Sequence, residues 1–272
     1  RSNGNIKFPE NEKPILAMNF NLPESNVEDI AKVLPTNIIP KDSEHVDIIK
    51  RIKKYDLFGK IKGTMSVMGQ IPKPNITGSI QARNVKLFNK NDPTHTGVVD
   101  LEFKGNTMFL NVDVSTFDGE RAQITGLTYL FNEGLNHFNI VSTENLDLPL
   151  AQKVVLPIQD VLRFELGPVP MMDIQKGKGK LDIKIDGTKI EGSLFGRADF
   201  RNGKLNYKGI HGTVEDVVGN VTFADKEIFY NADGYYAGYK MNLNGKTVQN
   251  GTVEINIGSD AIETADVVDT IN

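Results

Sequence analysis

The chain lacks cysteine and tryptophan altogether and has only four histidines among its 272 residues. Without cysteine there is no disulfide framework, no zinc ribbon, no iron–sulfur site and no thiol nucleophile; the same absence leaves the compartment open. Basic charge is not in excess either. Lys+Arg is 31 against 35 Asp+Glu, a formal net charge of −4 with a pI near 5.7, which argues against a nucleic-acid binder carried by bulk positive charge. No apolar run approaches the roughly 20 residues that span a bilayer. The chain opens Arg1-Ser2-Asn3-Gly4-Asn5, with neither an initiator methionine nor a signal peptide, and reads as cut from something longer.

Sites for chemistry are also missing. His45, His95, His137 and His211 stand at no metal-ligand spacing from one another or from a Glu, and each reads as a surface or turn residue. There is no Gly-x-Ser-x-Gly elbow and no Walker A loop. Lys176-Gly177-Lys178-Gly179-Lys180 has the look of a phosphate cradle, but a strand rather than a helix follows, so it reads as a flexible entry into Leu181–Ile185. Carboxylate pairs such as Asp113/Asp118 and Asp182/Asp233 have nothing to place them across a cleft. Asn75-Ile-Thr77 and Asn220-Val-Thr222 match a glycosylation triplet that arises often by chance. The expectation is a protein that is not an enzyme, with no cofactor and no metal.

What the chain does have is alternation. Val99-Asp-Leu-Glu-Phe-Lys104, Leu181-Asp-Ile-Lys-Ile-Asp186 and Val253-Glu-Ile-Asn-Ile257 place apolar and polar residues at every second position, the period of a strand with one greasy and one wet face. Asp118-Gly119, Asp186-Gly187, Asn202-Gly203, Asn244-Gly245 and Asn250-Gly251 punctuate these runs as hairpin turns would, and the implied sheet is an antiparallel meander.

The pattern also repeats. Gly69, Gly78, Asn84, Lys86 and Leu87 match Gly187, Gly196, Asn202, Lys204 and Leu205, all at an offset of 118. Phe103, Phe109, Asn111 and Asp113 match Phe223, Phe229, Asn231 and Asp233 at 120; Gly119 and Gly126 match Gly238 and Gly245 at 119; Asn139, Ile140 and Ser142 match Asn256, Ile257 and Ser259 at 117. Identities that keep their order with so little drift point to a repeated supersecondary unit. Each unit is expected to end in a helix, over Leu146–Leu162 with Pro157 breaking or kinking it, and over Asp260–Ile271. The related Asn26–Pro35 stretch ends an earlier copy, and an amphipathic helix is expected over Asp42–Tyr55, with Val46, Ile49 and Ile52 inward and Lys50, Arg51, Lys53 and Lys54 outward. The resulting division is 1–57, the end of one unit plus the helical insertion; 58–175, a full unit; and 176–272, a second.

Such a repeat can bury its apolar faces in a closed sandwich or by curling one continuous sheet around a groove. A repeat in phase along the chain favours an elongated, curled sheet. An open apolar strip would then need a ligand, and acyl chains fit because they need no directional bonds. Alternation and repeat matching place Met65, Val67, Ile76, Ile80, Leu101, Phe103, Met108, Leu110, Ile124, Phe138 and Ile140 on the inner face of the first unit. In the second they place Ile183, Ile185, Leu194, Ala198, Val221, Phe223, Ile228, Leu243, Ile255 and Ile257 there. The alternative for each is ordinary core packing.

Lys62-Gly-Thr-Met-Ser-Val-Met-Gly69, Pro74-Asn-Ile-Thr-Gly-Ser-Ile80 and Asn84-Val-Lys-Leu87 resemble the family of TamB- and AsmA-like proteins. So do Asn202-Gly-Lys-Leu205, Gly212-Thr-Val214, Gly219-Asn-Val-Thr-Phe223 and Gly245; the likeness runs from about Phe58 onward. The resemblance implies repeating β-groove (β-taco) units with short helices between them, stacked into a hydrophobic trough. It also implies a periplasmic region of an inner-membrane-anchored protein of a diderm bacterium that conducts phospholipids toward the outer membrane. Implied partners are neighbouring units of the same parent chain and a TamA- or BamA-like outer-membrane barrel, the latter through parts outside this sequence. Two other readings stand beside it: a scaffold or chaperone in outer-membrane protein assembly that holds unfolded strands by β-augmentation, and a closed β-rich adhesin or carbohydrate-binding repeat.

Overall fold

The computed structural model describes residues 1–10, 12–33, 56–87, 89–131, 135–153, 172–188, 192–208, 212–248 and 253–259. In chain order these form β1 (Ser2–Lys7), β2 (Ile15–Asn26), α1 (Val27–Val33), β3 (Leu57–Gln70), β4 (Asn75–Leu87), β5 (His95–Gly105), β6 (Thr107–Thr116) and β7 (Arg121–Tyr129). There follow β8 (Asn136–Ser142), β9 (Leu146–Asp147), a helix α2 over residues 148–153, β10 (Met172–Gly187), β11 (Gly192–Tyr207), β12 (Thr213–Asp225), β13 (Glu227–Tyr236), β14 (Tyr239–Val248) and β15 (Val253–Ser259). The protein is mainly β. Each strand is hydrogen-bonded to the next along the chain in one sheet, except that β9 leaves the path and pairs with β10 beside β8. This is the antiparallel meander that the alternating sequence implies. The chain divides into two compact units, the first built on β1–β6 and most of β7, the second on the C-terminal part of β8 and β9–β15.

The internal repetition extends to backbone conformation. Strands β3–β8 match β10–β15 in order and direction, and unusual φ angles recur at matched positions. Asn84 and Asn202 have φ of 53° and 52°, Gly59 and Gly177 140° and 141°, Gly119 and Gly238 87° and 83°, and the turn residues Gly105 and Asp225 71° and 61°. At Gly78 an added Cβ would lie 2.2 Å from the Thr64 carbonyl oxygen, and at the matched Gly196 it would lie 2.0 Å from that of Asp182. Thr64 and Asp182 are themselves 118 residues apart, so the same close approach of two backbones is built twice. Only glycine fits there, because any side chain would collide with main-chain atoms that cannot move aside.

Two of the expected turns are not turns. Asn202-Gly203 lies inside β11, where the left-handed Asn202 and register shifts on either side of Gly203 form an irregularity against β12. Asn244-Gly245 lies inside β14, with Gly245 paired to Tyr230 on one side and Ile255 on the other; a residue without a side chain beside a tyrosine ring suits a packed face. Asp118-Gly119 does form the turn after β6. Asp186-Gly187 closes β10, and Asn250-Gly251 lies outside the described residues.

The helices follow strands through local capping. Asn26, just before α1, donates from Nδ2 to Asp29 Oδ2 at 2.9 Å, and Glu28 and Asp29 put negative charge in the first turn. Asp147 takes the same position before α2, its Oδ1 accepting the Leu150 N–H at 3.1 Å. Leu148 then sits where Gly177 and Gly179 leave room: added Cβ atoms there would come within 2.8 and 2.7 Å of its methyl groups. Gln152 finishes the docking, donating to the Met172 carbonyl at 2.6 Å and accepting the Ile174 N–H at 3.3 Å. The Lys-Gly-Lys-Gly-Lys run is therefore strand, and its glycines seat a helix. The remainder of the helix expected over Leu146–Leu162, with Pro157, and the helices expected over Asp42–Tyr55 and Asp260–Ile271 lie outside the described residues.

Candidate functional site: the apolar face of the sheet

Directly paired residues in an antiparallel sheet share a face, so the register sorts every side chain. In the first unit one row runs Phe20, Met65, Gly78, Phe103, Met108 across β2–β6. The next runs Leu22, Gly63, Ile80, Leu101, Leu110, and on the other side Met18, Val67, Ile76, Gly105. A further row, Ile61, Ala82, Val99, Val112, extends the same face. From β3 to β6 every position in these four rows is apolar or glycine; on β2 the Ile61 row meets Ser25. At the usual strand spacing the five strands make a wall about 19 Å wide. Its large side chains are half-buried, with only Ala82 fully buried.

Met65, Val67, Ile76, Ile80, Leu101, Phe103, Met108 and Leu110 are thus brought together on one face. Ile124 on β7 and Phe138 and Ile140 on β8 are more deeply placed, at 3%, 3% and 2% exposure. The alternation Leu16-Ala-Met-Asn-Phe-Asn-Leu22 adds Met18, Phe20 and Leu22 from β2, three positions beyond those expected on the inner face.

The second unit repeats the rows. Gly196, Phe223 and Ile228 pair in sequence, with Ile183 next to Gly196, and Ala198, Val221 and Tyr230 form the neighbouring row, continued by Gly245 and Ile255. Here Ile183, Ile185, Leu194, Phe223 and Ile228 are buried, while Ala198, Val221 and Leu243 are half-buried. Ile257 on β15 is 59% exposed, and the side chain of Ile255 lies outside the description. Tyr230 is buried in this face; its hydroxyl donates to Thr247 Oγ1 at 2.8 Å, and burial pushes the phenol above the usual tyrosine range.

The opposite face of the first unit is polar: Asn19, Ser66 and Thr77 form one row, Asn21, Thr64, Ser79 and Glu102 another. It carries two shallow depressions, one lined by Asn19, Asn21, Thr64, Ser66 and Thr77, the other by Ser79, Gln81, Asp100, Glu102 and Asn111. Partly exposed ion pairs such as Arg83–Asp100 at 2.7 Å hold charges in place there but contribute little stability.

Comparison with family models, with curated proteins and with solved structures found no match to this chain. Among the described residues no group of His, Asp and Glu is placed to hold a metal ion, and no helix is long and apolar enough to cross a membrane. His137 is exposed, as expected of a surface histidine, but His95 is not a surface residue. It is 5% exposed at the start of β5, with Nδ1 3.1 Å from Thr94 Oγ1 and 3.6 Å from Asp92 Oδ2. The imidazole is held by its two near neighbours in sequence. His45 and His211 lie outside the described residues.

Proposed function

We propose that the apolar face of the first unit receives the hydrocarbon chains of a lipid, and that the protein is a segment of a lipid-conducting groove of the kind found in the TamB- and AsmA-like proteins it resembles. The observation that supports this most directly is the makeup of the β2–β6 wall: four adjacent rows whose one polar side chain is Ser25 at the β2 edge, with every large side chain half-buried where a closed core would be dry. Soluble proteins rarely leave a contiguous apolar surface of that extent without a use for it. Acyl chains match it because they ask for apolar contact and no directional bonds, and because they can slide along a face that offers no preferred polar stop. On this reading phospholipid is the cargo, the location is the periplasm, and neighbouring units of a longer chain carry the face onward.

Native mass spectrometry of the purified chain, paired with uptake of a fluorescent fatty-acid probe, tests the reading. Bound phospholipid and saturable probe uptake are expected. Leu101→Asp, at the centre of the wall, should cut uptake at least tenfold while the thermal melt moves by only a few degrees. Absence of both lipid and probe binding overturns the proposal; so does gross unfolding of the Leu101→Asp variant, since it would mark the wall as a sealed core.

A further inference from the structure

The repeat conserves more than an apolar face. Phe109, Asn111 and Asp113 of β6 recur as Phe229, Asn231 and Asp233 of β13, and these alternate positions point to the polar face. A lipid groove has no use for a repeated aromatic on its wet side. Both phenylalanines stand out from it, at 36% and 40% exposure. In the first unit Lys104 Nζ already lies 5.1 Å from the Phe109 ring centre. In the second unit the ring of Phe229 lies between Thr222 and Lys246 in its row.

Next to it runs a row of amides. Asn220, Asn231, Asn244 and Asn256 are paired directly across β12, β13, β14 and β15. Asn231, Asn244 and Asn256 are exposed, and within the row Asn256 Nδ2 donates to Asn244 Oδ1 at a long 3.4 Å. Four side-chain amides at the spacing of adjacent strands, about 4.8 Å, make a line of donor–acceptor pairs about 14 Å long. The four amides carry no charge; on β11 their row continues into Asp199, neutralised by Arg197 at 2.7 Å, and the charges beside it, Asp233, Lys246 and Glu254, are of both signs. That pattern complements a neutral chain rich in hydroxyl groups rather than an ionic one. Each amide can accept from one hydroxyl and donate to its neighbour, and an exposed ring one step along the strand offers an apolar platform for the C–H face of a sugar.

We propose that the polar face of the second unit, built on Phe229 and the asparagine row, binds an uncharged glycan strand, with successive sugars laid across successive β-strands. The site is independent of the apolar face, which lies on the other side of the sheet. The experiment is a titration of the full chain, isotopically labelled on its asparagine side chains, with the hexamer of β-1,4-linked N-acetylglucosamine and separately with cellohexaose, followed by NMR. Saturable shifts of the Asn231 and Asn244 side-chain amides with either oligosaccharide are expected. The double variant Phe229→Ala/Asn231→Ala, with its fold checked by circular dichroism, should weaken binding at least tenfold, and Leu101→Asp should leave it unchanged. Failure of both oligosaccharides to give saturable shifts at millimolar concentration overturns the proposal, as does full affinity in the double variant. Loss of glycan binding in the double variant with lipid uptake intact supports the proposal.

Discussion

Phe103 in the first unit and Phe223 in the second occupy the same place in the repeat, each paired across the ladder with a glycine, Gly78 or Gly196. Yet Phe223 is 5% exposed and Phe103 is half-buried. The same contrast holds for Met65 against Ile183 and for Met108 against Ile228. Register and alternation are equal in the two units; what differs is how much of the face is withdrawn from water. A two-residue period decides which side of a sheet is apolar, and nothing in that period decides what lies over it. A face that is apolar twice and deeply buried at these positions only once can serve packing in one unit and an exchangeable ligand in the other.

The sharpest way to break the comparison is to put a charge at the paired phenylalanines. Phe223→Asp should destabilise the protein by at least about 4 kcal/mol, because the carboxylate is buried without a partner and the ring's volume is lost as well. Phe103→Asp should cost about 1–2 kcal/mol, since a half-buried carboxylate keeps access to water. Chemical denaturation of both variants reads the difference directly. Equal losses would mean that the first face is as dry as the second.

A smaller effect tests whether the two units share a backbone as well as a pattern. Gly78→Ala and Gly196→Ala each place a Cβ close to 2 Å from a carbonyl oxygen, at φ of 134° and 119°. Each should cost roughly 2–4 kcal/mol, and the two values should agree within about 1 kcal/mol, because the clash is with main chain and owes nothing to the cover above the face. Denaturation midpoints measured side by side check this. A difference as large as that between the phenylalanine variants would show that burial, and not backbone contact, dominates at these glycines.

Much of this arrangement is legible in the residues. The repeat offsets, the meander and the eight first-unit positions from Met65 to Leu110 follow from period-two patterning, which maps onto a sheet face without further information. The features that escaped need tertiary partners. Gly177 and Gly179 look like a flexible run until Leu148 is placed over them, and Gln152 looks like a solvated helix residue until the backbone groups of Met172 and Ile174 that it bonds are beside it. Asn202-Gly203 and Asn244-Gly245 have turn chemistry, yet the chain uses the first for a bulge and the second to pass a tyrosine ring. His95 is buried because Thr94 and Asp92 offer it local partners, which no spacing rule for metal ligands detects. Burial itself, the difference between Phe103 and Phe223, leaves no mark in the alternation.

The smallest predicted effect separates pattern from cover most cleanly. Asn84 and Asn202 hold φ of 53° and 52°, and register shifts against the following strand fall at both places. Both residues are exposed, so packing contributes little at either one. Asparagine tolerates the left-handed region better than other residues with a side chain, whereas alanine pays its full steric penalty there. Asn84→Ala and Asn202→Ala should therefore each cost about 1 kcal/mol. Asn84→Gly and Asn202→Gly should fall within about 0.5 kcal/mol of the parent, since relief of left-handed strain is offset by the greater freedom of glycine in the unfolded chain. The pairs should agree with each other even though the apolar faces beneath them differ in burial. If thermal melts showed the Asn202 variants to be several-fold more costly than the Asn84 variants, the bulges would be coupled to the sealed face, and the two units would differ in backbone mechanics as well as in cover.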